Sequence, residues 1–224
     1  MIYLYSGTPG SGKSLHTARV IYYTLKRNMP VIANFAINLT KIPRCRGEFV
    51  EKDNESLTPE FLIQYSADYF SGQRAREGAL LLVIDECQLM FNAREWNTKG
   101  RNKWLSFFTQ HRKYGYDVIL VAQFDRMIDR QIRSLIEYEQ VHRKVSNFGW
   151  KGKILSSFCL GKLFVAVKVW YPMKEKVGSE FFIAEKKFYS LYDTFGMFGS
   201  VQDGESGAPP GAEADSPEGA EKVS

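Results

Sequence analysis

The stretch "SGTPGSGKSLHTA" (Ser6–Ala18) decides how the rest of the chain is read. Within it, Gly7-x-x-x-x-Gly12-Lys13-Ser14 fills every fixed slot of the Walker A signature. Apolar Met1–Tyr5 before it reads as a buried strand. Leu15–Lys26 after it reads as a helix with β-branched and aromatic residues on one side. Strand, glycine-rich turn and helix are the parts a phosphate-binding loop needs. Gly7, Gly10 and Gly12 let the backbone take positive φ and bring its N–H groups close to phosphate oxygens. A helix beginning near Lys13 adds unpaired N–H donors and a positive dipole end. The candidate nucleotide-binding set is therefore Gly7, Thr8, Pro9, Gly10, Ser11, Gly12, Lys13, Ser14 and Leu15. Lys13 is expected to reach the β- and γ-phosphates of ATP, and the Ser14 hydroxyl to ligate Mg²⁺.

A second acidic motif complements the loop. "ALLLVIDECQ" ends an apolar strand in Asp85-Glu86, the pattern of a Walker B element. A carboxylate at a strand tip can hold Mg²⁺ opposite Ser14, and a second carboxylate directly after it is suited to orienting the attacking water. Hydrolysis is thus expected rather than nucleotide binding alone, with Lys13 and Glu86 in the catalytic roles. Gln123, at the end of "YDVILVAQ" (Tyr116–Gln123), is expected beside the γ-phosphate, where a polar side chain can sense hydrolysis or help place the water. An arginine finger from a neighbouring subunit would complete the site. Arg112, Arg130 and Arg133 follow at suitable distances, and Arg133 is the preferred candidate. Such a finger implies a homo-oligomer, a ring.

Strands alternate with helices along the chain. Pro30–Phe35, Ala79–Asp85, Tyr116–Gln123 and Tyr138–Lys144 read as further strands. Thr58 followed by Pro59 and Glu60 marks a helix start, Asn102–Tyr114 reads as helix, and Asp129–Glu137 as a short one. Asn38–Asn54 reads as loop or short hairpin, with Pro43 and Gly47 as breakers. The expected fold class is α/β, a P-loop NTPase of the additional-strand class. Its mostly parallel sheet would place the five strands in the order 5-1-4-3-2. From Phe148 the texture changes to alternating segments, "KLFVAVKVWYP" and "EFFIAEKKFYSLY", with turns expected at Trp150–Lys153 and Lys176–Glu180. Residues 1–147 are expected to form the ATPase core and 148–198 an antiparallel β addition packed on its edge.

Composition bounds the alternatives. The last 26 residues, from Gly199, carry six acids and one lysine, leaving +10 on residues 1–198 of a chain whose net charge is +5. That segment is rich in Gly, Pro, Ala and Glu and has no aromatic residue, so it reads as a disordered tail or linker. Cys45, Cys87 and Cys159 form no C-x-x-C pair, which argues against a disulfide framework or a zinc site. The longest apolar run, Ala79–Ile84, is far short of a membrane span, so the chain itself is expected to be soluble. "REWNTKGRNKW" (Arg94–Trp104) mixes cations with tryptophans and is readable as a nucleic-acid loop, a subunit contact or a solvated loop. His16, His111 and His142 show no metal spacing.

Taken together, the N-terminal Gly7–Ser14 loop, "LLVIDECQLMF", "FFTQHRKYGYDVILVAQFDRMIDRQIRSLIE" and "YSLYDTF" resemble the Zot (zonular occludens toxin) family, over about residues 1–195. That family includes the gene I assembly proteins of filamentous phages. The resemblance implies a cytoplasmic ATPase domain at the inner membrane of the host, acting in assembly and extrusion of phage particles. It implies other phage assembly proteins, single-stranded DNA or coat proteins as partners. In the family a membrane-spanning helix follows the ATPase domain; here any membrane attachment is expected through a segment absent from this chain. The toxin activity that names the family belongs to its far C-terminal part and is not carried over. The +10 of residues 1–198 is compatible with a second reading, a DNA-translocating or packaging ATPase of the FtsK/HerA type. A nucleotide-gated scaffold that binds ATP without turnover is a third, against which Glu86 counts.

Overall fold

A computed structural model of the protein describes residues 1–93, 100–148, 150 and 162–191. The backbone first forms β1 (Ile2–Ser6), then α1 (Lys13–Lys26), β2 (Val31–Ala33) and β3 (Phe49–Glu51). There follow α2 (Pro59–Tyr69), β4 (Leu80–Ile84), α3 (Arg101–Gln110), β5 (Tyr116–Val121) and α4 (Arg130–Arg133). The described chain closes with β6 (Tyr138–Lys144), β7 (Leu163–Trp170), β8 (Glu175–Ile183) and α5 (Lys186–Tyr189).

These eight strands form one sheet in the order β3-β2-β4-β5-β1-β6-β7-β8. The pairings from β3 through β6 are parallel, and β7 and β8 each join antiparallel. The order expected for the five core strands is observed, with β5 lying between β1 and β4. Period-two alternation assigns the two faces. Tyr5, Val83, Ile119 and Val121 pack with Leu15, Ala18, Ile21 and Leu25 of α1. Their neighbours Leu4, Leu82, Ile84, Val118 and Leu120 pack on the other face with Leu62, Phe107, Phe108 and Ile132 of α2, α3 and α4. Burial on both faces is what makes β4 and β5 apolar at nearly every position.

Local rules set the helix ends. Thr58 Oγ1 accepts the Phe61 N–H at 3.2 Å and Pro59 fills the first helical position of α2. Asp129 caps α4, accepting from Gln131 N at 2.9 Å and Ile132 N at 3.4 Å. The expected helix over Asp129–Glu137 is thereby confined to one turn, Arg130–Arg133.

Three sequence expectations are corrected. Asn38–Asn54 is not a hairpin: Phe49–Glu51 adds a parallel edge strand beside β2. The turn expected at Lys176–Glu180 lies instead at Tyr171–Lys174, and Lys176–Glu180 is inside β8, displaced by a register shift at Lys168/Val169. The third is that strand character does not persist through "EKKFYSLY", because Lys186–Tyr189 turns into α5 and buries Phe188 against Tyr22 and Tyr23 of α1. The turn expected at Trp150–Lys153, most of "REWNTKGRNKW" and the acidic segment from Gly199 fall on residues outside the described set.

Behind the glycine loop, two histidines far apart in sequence meet. His16 Nδ1 and His142 Nε2 are 2.8 Å apart, and His142 Nδ1 lies 3.2 Å from the Ser6 carbonyl. Their rings are buried among Tyr5 and Phe182, with the Glu180 carboxylate 3.8 Å from His16 and Arg19 nearby. Burial holds both well below the usual imidazole range. The unfolded chain therefore takes up protons near pH 6.5 that the native pair refuses, so stability falls as pH falls through that value. The slope approaches about 1.4 kcal/mol per pH unit for each refused proton. Denaturant unfolding at pH 7.5 and 5.5 is expected to lose roughly 1–3 kcal/mol between the two. Equal stabilities would mean that the native pair carries charge.

Candidate active site

The glycine loop connects the end of β1 to the start of α1. Gly7, Gly10 and Gly12 have φ of +142°, +72° and +97°. A Cβ at Gly7 would lie 2.6 Å from the His142 carbonyl oxygen, and one at Gly12 would lie 2.6 Å from the Phe164 ring, so these two glycines are required by close approach. Gly12 is the residue before α1, and no side chain caps that helix end. Its first N–H groups point into the loop as donors for an anion. The Ser11 hydroxyl is buried without a partner. Lys13, itself buried, donates from Nζ to the carbonyls of Gly7 (2.7 Å) and Thr8 (3.3 Å), folding its ammonium over the loop. An orphaned hydroxyl, uncapped N–H groups and a folded-over lysine suit a bound polyphosphate.

The carboxylates arrive from β4. Asp85 and Glu86 follow its last residue, Ile84, at the same edge of the sheet as the loop. Both act electrostatically on Lys13, opposing the burial that lowers its pKa. Burial pushes Asp85 up to about 6, although the Glu86 N–H donates to its Oδ1 at 2.8 Å. Glu86 takes a left-handed φ of +45°, uncommon for a residue with a side chain, and Gln88 Nε2 donates to its carboxylate. The backbone here is clamped by Asn34, just past β2. Asn34 Oδ1 accepts from Asp85 N at 2.7 Å while its Nδ2 donates to the Asp85 carbonyl at 2.9 Å. Sequence reasoning missed Asn34. The signal was present, a polar side chain at the carboxyl end of a buried parallel strand.

Gln123 closes the site from β5. Its carbonyl accepts from Gly7 N at 3.1 Å, so the residue abuts the start of the loop. Beside it runs a cleft of about 500 Å³ lined by Gly7, Thr8, Gln123, Asp125, Glu139 and Arg143, among others. Its floor carries a polar chain: Ser6 Oγ donates to Glu139 at 2.7 Å, Lys174 reaches Glu139 at 3.2 Å and Asp125 at 3.5 Å, and Tyr171 donates to Asp125 at 2.9 Å. The β7–β8 turn is thereby tied to the residue preceding the loop. Of the arginines, Arg112 is committed elsewhere, pairing with Glu77 at 3.3 Å and Glu137 at 2.5 Å. Arg133 donates to the Asp125 carbonyl at 3.5 Å, near the segment that follows Gln123 and away from Lys13, Asp85 and Glu86.

Mg²⁺ fits this donor set. Among the described residues no three metal-binding side chains converge, but Mg²⁺ characteristically takes one hydroxyl or carboxylate or two, with phosphate oxygens and water supplying the rest. Ser14 at the head of α1 and Asp85 at the tip of β4 would hold it.

The sequence model of the zonular occludens toxin (Zot) family matches residues 1–194. The chain belongs to the Zot family. The gene 1 protein of Enterobacteria phage fd is 27% identical over 218 residues, which cover 90% of this chain and 61% of that protein. This Zot-family chain thus spans about three fifths of the length of the curated relatives it matches. The N-terminal domain of zonular occludens toxin from Neisseria meningitidis is similar in fold, with a TM-score of 0.54 and 18% identity over 86% of this chain and 98% of that one. So is another solved ATPase domain, with a TM-score of 0.54 and 10% identity over 85% of this chain and 83% of that one. The Zot chain has the P-loop NTPase fold that its two motifs imply. Among the described residues no helix is long and apolar enough to cross a membrane.

Proposed function

We propose that this Zot-family chain is an ATP-hydrolysing motor domain that drives assembly and extrusion of filamentous phage at the inner membrane of the host. The observation that carries the reading is the convergence of Lys13 with Asp85 and Glu86 at one edge of the sheet, over a loop built for phosphate. The similarity to phage gene 1 proteins supports the setting.

In the proposed cycle the loop N–H groups and Lys13 bind the phosphates of ATP, with Lys13 exchanging its two carbonyl partners for phosphate oxygens. Mg²⁺, held by Ser14 and Asp85, would neutralise charge on the β- and γ-phosphates. Glu86 orients the water and accepts its proton. Gln123 reads the γ-phosphate from the neighbouring strand, and Arg133 of an adjacent copy in a ring supplies the finger. Other phage assembly proteins, single-stranded DNA and coat proteins are the partners this reading assigns. The second reading, a DNA translocator, rests on the +10 charge of residues 1–198 and requires hydrolysis stimulated by DNA in a salt-sensitive way.

Phosphate release by the purified chain tests the proposal. Lys13→Ala is expected to lower it by about 100-fold or more, since it removes the charge that meets the transferred phosphoryl group. Absence of hydrolysis by the assembled wild type would overturn the reading.

A further inference from the structure

A second cleft, of about 210 Å³, lies on the other flank of the phosphate loop. Gly12, Lys13, Ser14 and Leu15 form one wall, and Phe164 and Tyr189 form the others. Phe164, from β7, closes the floor against Gly12, where a Cβ would come within 2.6 Å of its ring. Phe188 is buried to 1% exposure between Tyr22 and Tyr23 of α1 and so pins α5 to the helix that begins at the loop. The adjacent Tyr189 is 55% exposed, and among the described residues its ring and hydroxyl have no partner. An aromatic ring held on a pinned turn, facing a phosphate site and stacked on nothing, is built to receive a flat ligand.

The direction of the nucleotide follows from the sheet. Asp85 and Glu86 lie on β4, two strands to one side of β1, so the γ-phosphate end points that way. The nucleoside end then leaves the loop toward β6, β7 and β8, where this cleft lies. We propose that Tyr189 is the nucleobase platform of the site, stacking on the base of the nucleoside triphosphate whose phosphates occupy Gly7–Ser14. The inference rests on the nucleotide-binding part of the proposed function and adds a specificity role for the C-terminal strands: they make the difference between binding polyphosphate and binding a nucleotide.

The test compares two probes on the same chain, ATP·Mg²⁺ and inorganic tripolyphosphate·Mg²⁺, by calorimetry. Tyr189→Ala is expected to weaken ATP binding roughly 5- to 100-fold, the range of a base–aromatic stack, and to leave tripolyphosphate binding unchanged. Tyr189→Trp is expected to keep wild-type ATP affinity. Unchanged ATP affinity in Tyr189→Ala, or equal weakening toward both probes, overturns the platform while leaving the phosphate site standing. A wild type that binds neither probe overturns the nucleotide-binding reading itself, and this inference with it. Because the side chain is largely exposed, both variants are expected to unfold at the wild-type temperature, which circular dichroism checks.

Discussion

Glu86→Gln is expected to lower the turnover number for ATP by about 100- to 1,000-fold while leaving ATP affinity close to wild type. The substitution keeps the shape of the side chain and its place beside Gln88, and it keeps the left-handed backbone at φ +45° that sets the direction of the residue. It removes only the ability to take a proton from water. Affinity is set elsewhere, by the uncapped N–H groups of α1 and by Lys13. The two measurements therefore separate: single-turnover hydrolysis falls, and fluorescent-nucleotide binding holds. Lys13→Ala should fail in the opposite order, losing binding first. A Glu86→Gln protein that hydrolyses ATP at the wild-type rate would remove Glu86 from the chemistry and move attention to Gln123, the other polar side chain adjoining the loop.

The difference between these two variants reflects how the site is divided in the sequence. The phosphate cradle is contiguous, Gly7 to Leu15, and its glycine spacing is dictated by close approaches to His142 and Phe164, so a short motif describes it well. The acidic pair is also local, because a parallel strand buried on both faces must be apolar until its carboxyl tip, where Asp85 and Glu86 emerge. The order of the five core strands was legible for the same reason, since the motifs identify which strands carry the site and place β5 between them. What was not legible depends on partners distant in sequence. Asn34 clamps Asp85 across 51 positions, and His16 meets His142 across 126. Neither pairing leaves a periodic signature. β3 escaped because three residues on an edge, only half-buried, give no alternation long enough to read. α5 escaped because "EKKFYSLY" has the polar–apolar alternation of a strand; Phe188 finding a slot between Tyr22 and Tyr23 of α1 overrides that local pattern.

The same distinction between local and distant partners governs the second large effect, on stability. Asp129→Ala is expected to cost about 3–5 kcal/mol and to lower the unfolding midpoint accordingly. Asp129 is 5% exposed, and its two oxygens serve different elements. Oδ1 caps α4 through Gln131 and Ile132. Oδ2 accepts from Arg101 Nη2 at 2.6 Å, at the start of α3, and both side chains of that pair are largely withdrawn from water. Loss of the cap alone accounts for about 1 kcal/mol. The remainder comes from leaving a guanidinium in a place shaped for a carboxylate. Asp129→Asn separates the two contributions, because an amide still caps a helix but does not neutralise Arg101; it is expected to lose most of the stability that Ala loses. Urea denaturation of both variants decides the matter. If Asn restores nearly all of the wild-type stability, the ion pair contributes little and the cap is the reason an aspartate stands there. α4 carries Arg133 and precedes β6, so whichever contribution dominates also fixes the direction in which the candidate finger leaves the domain.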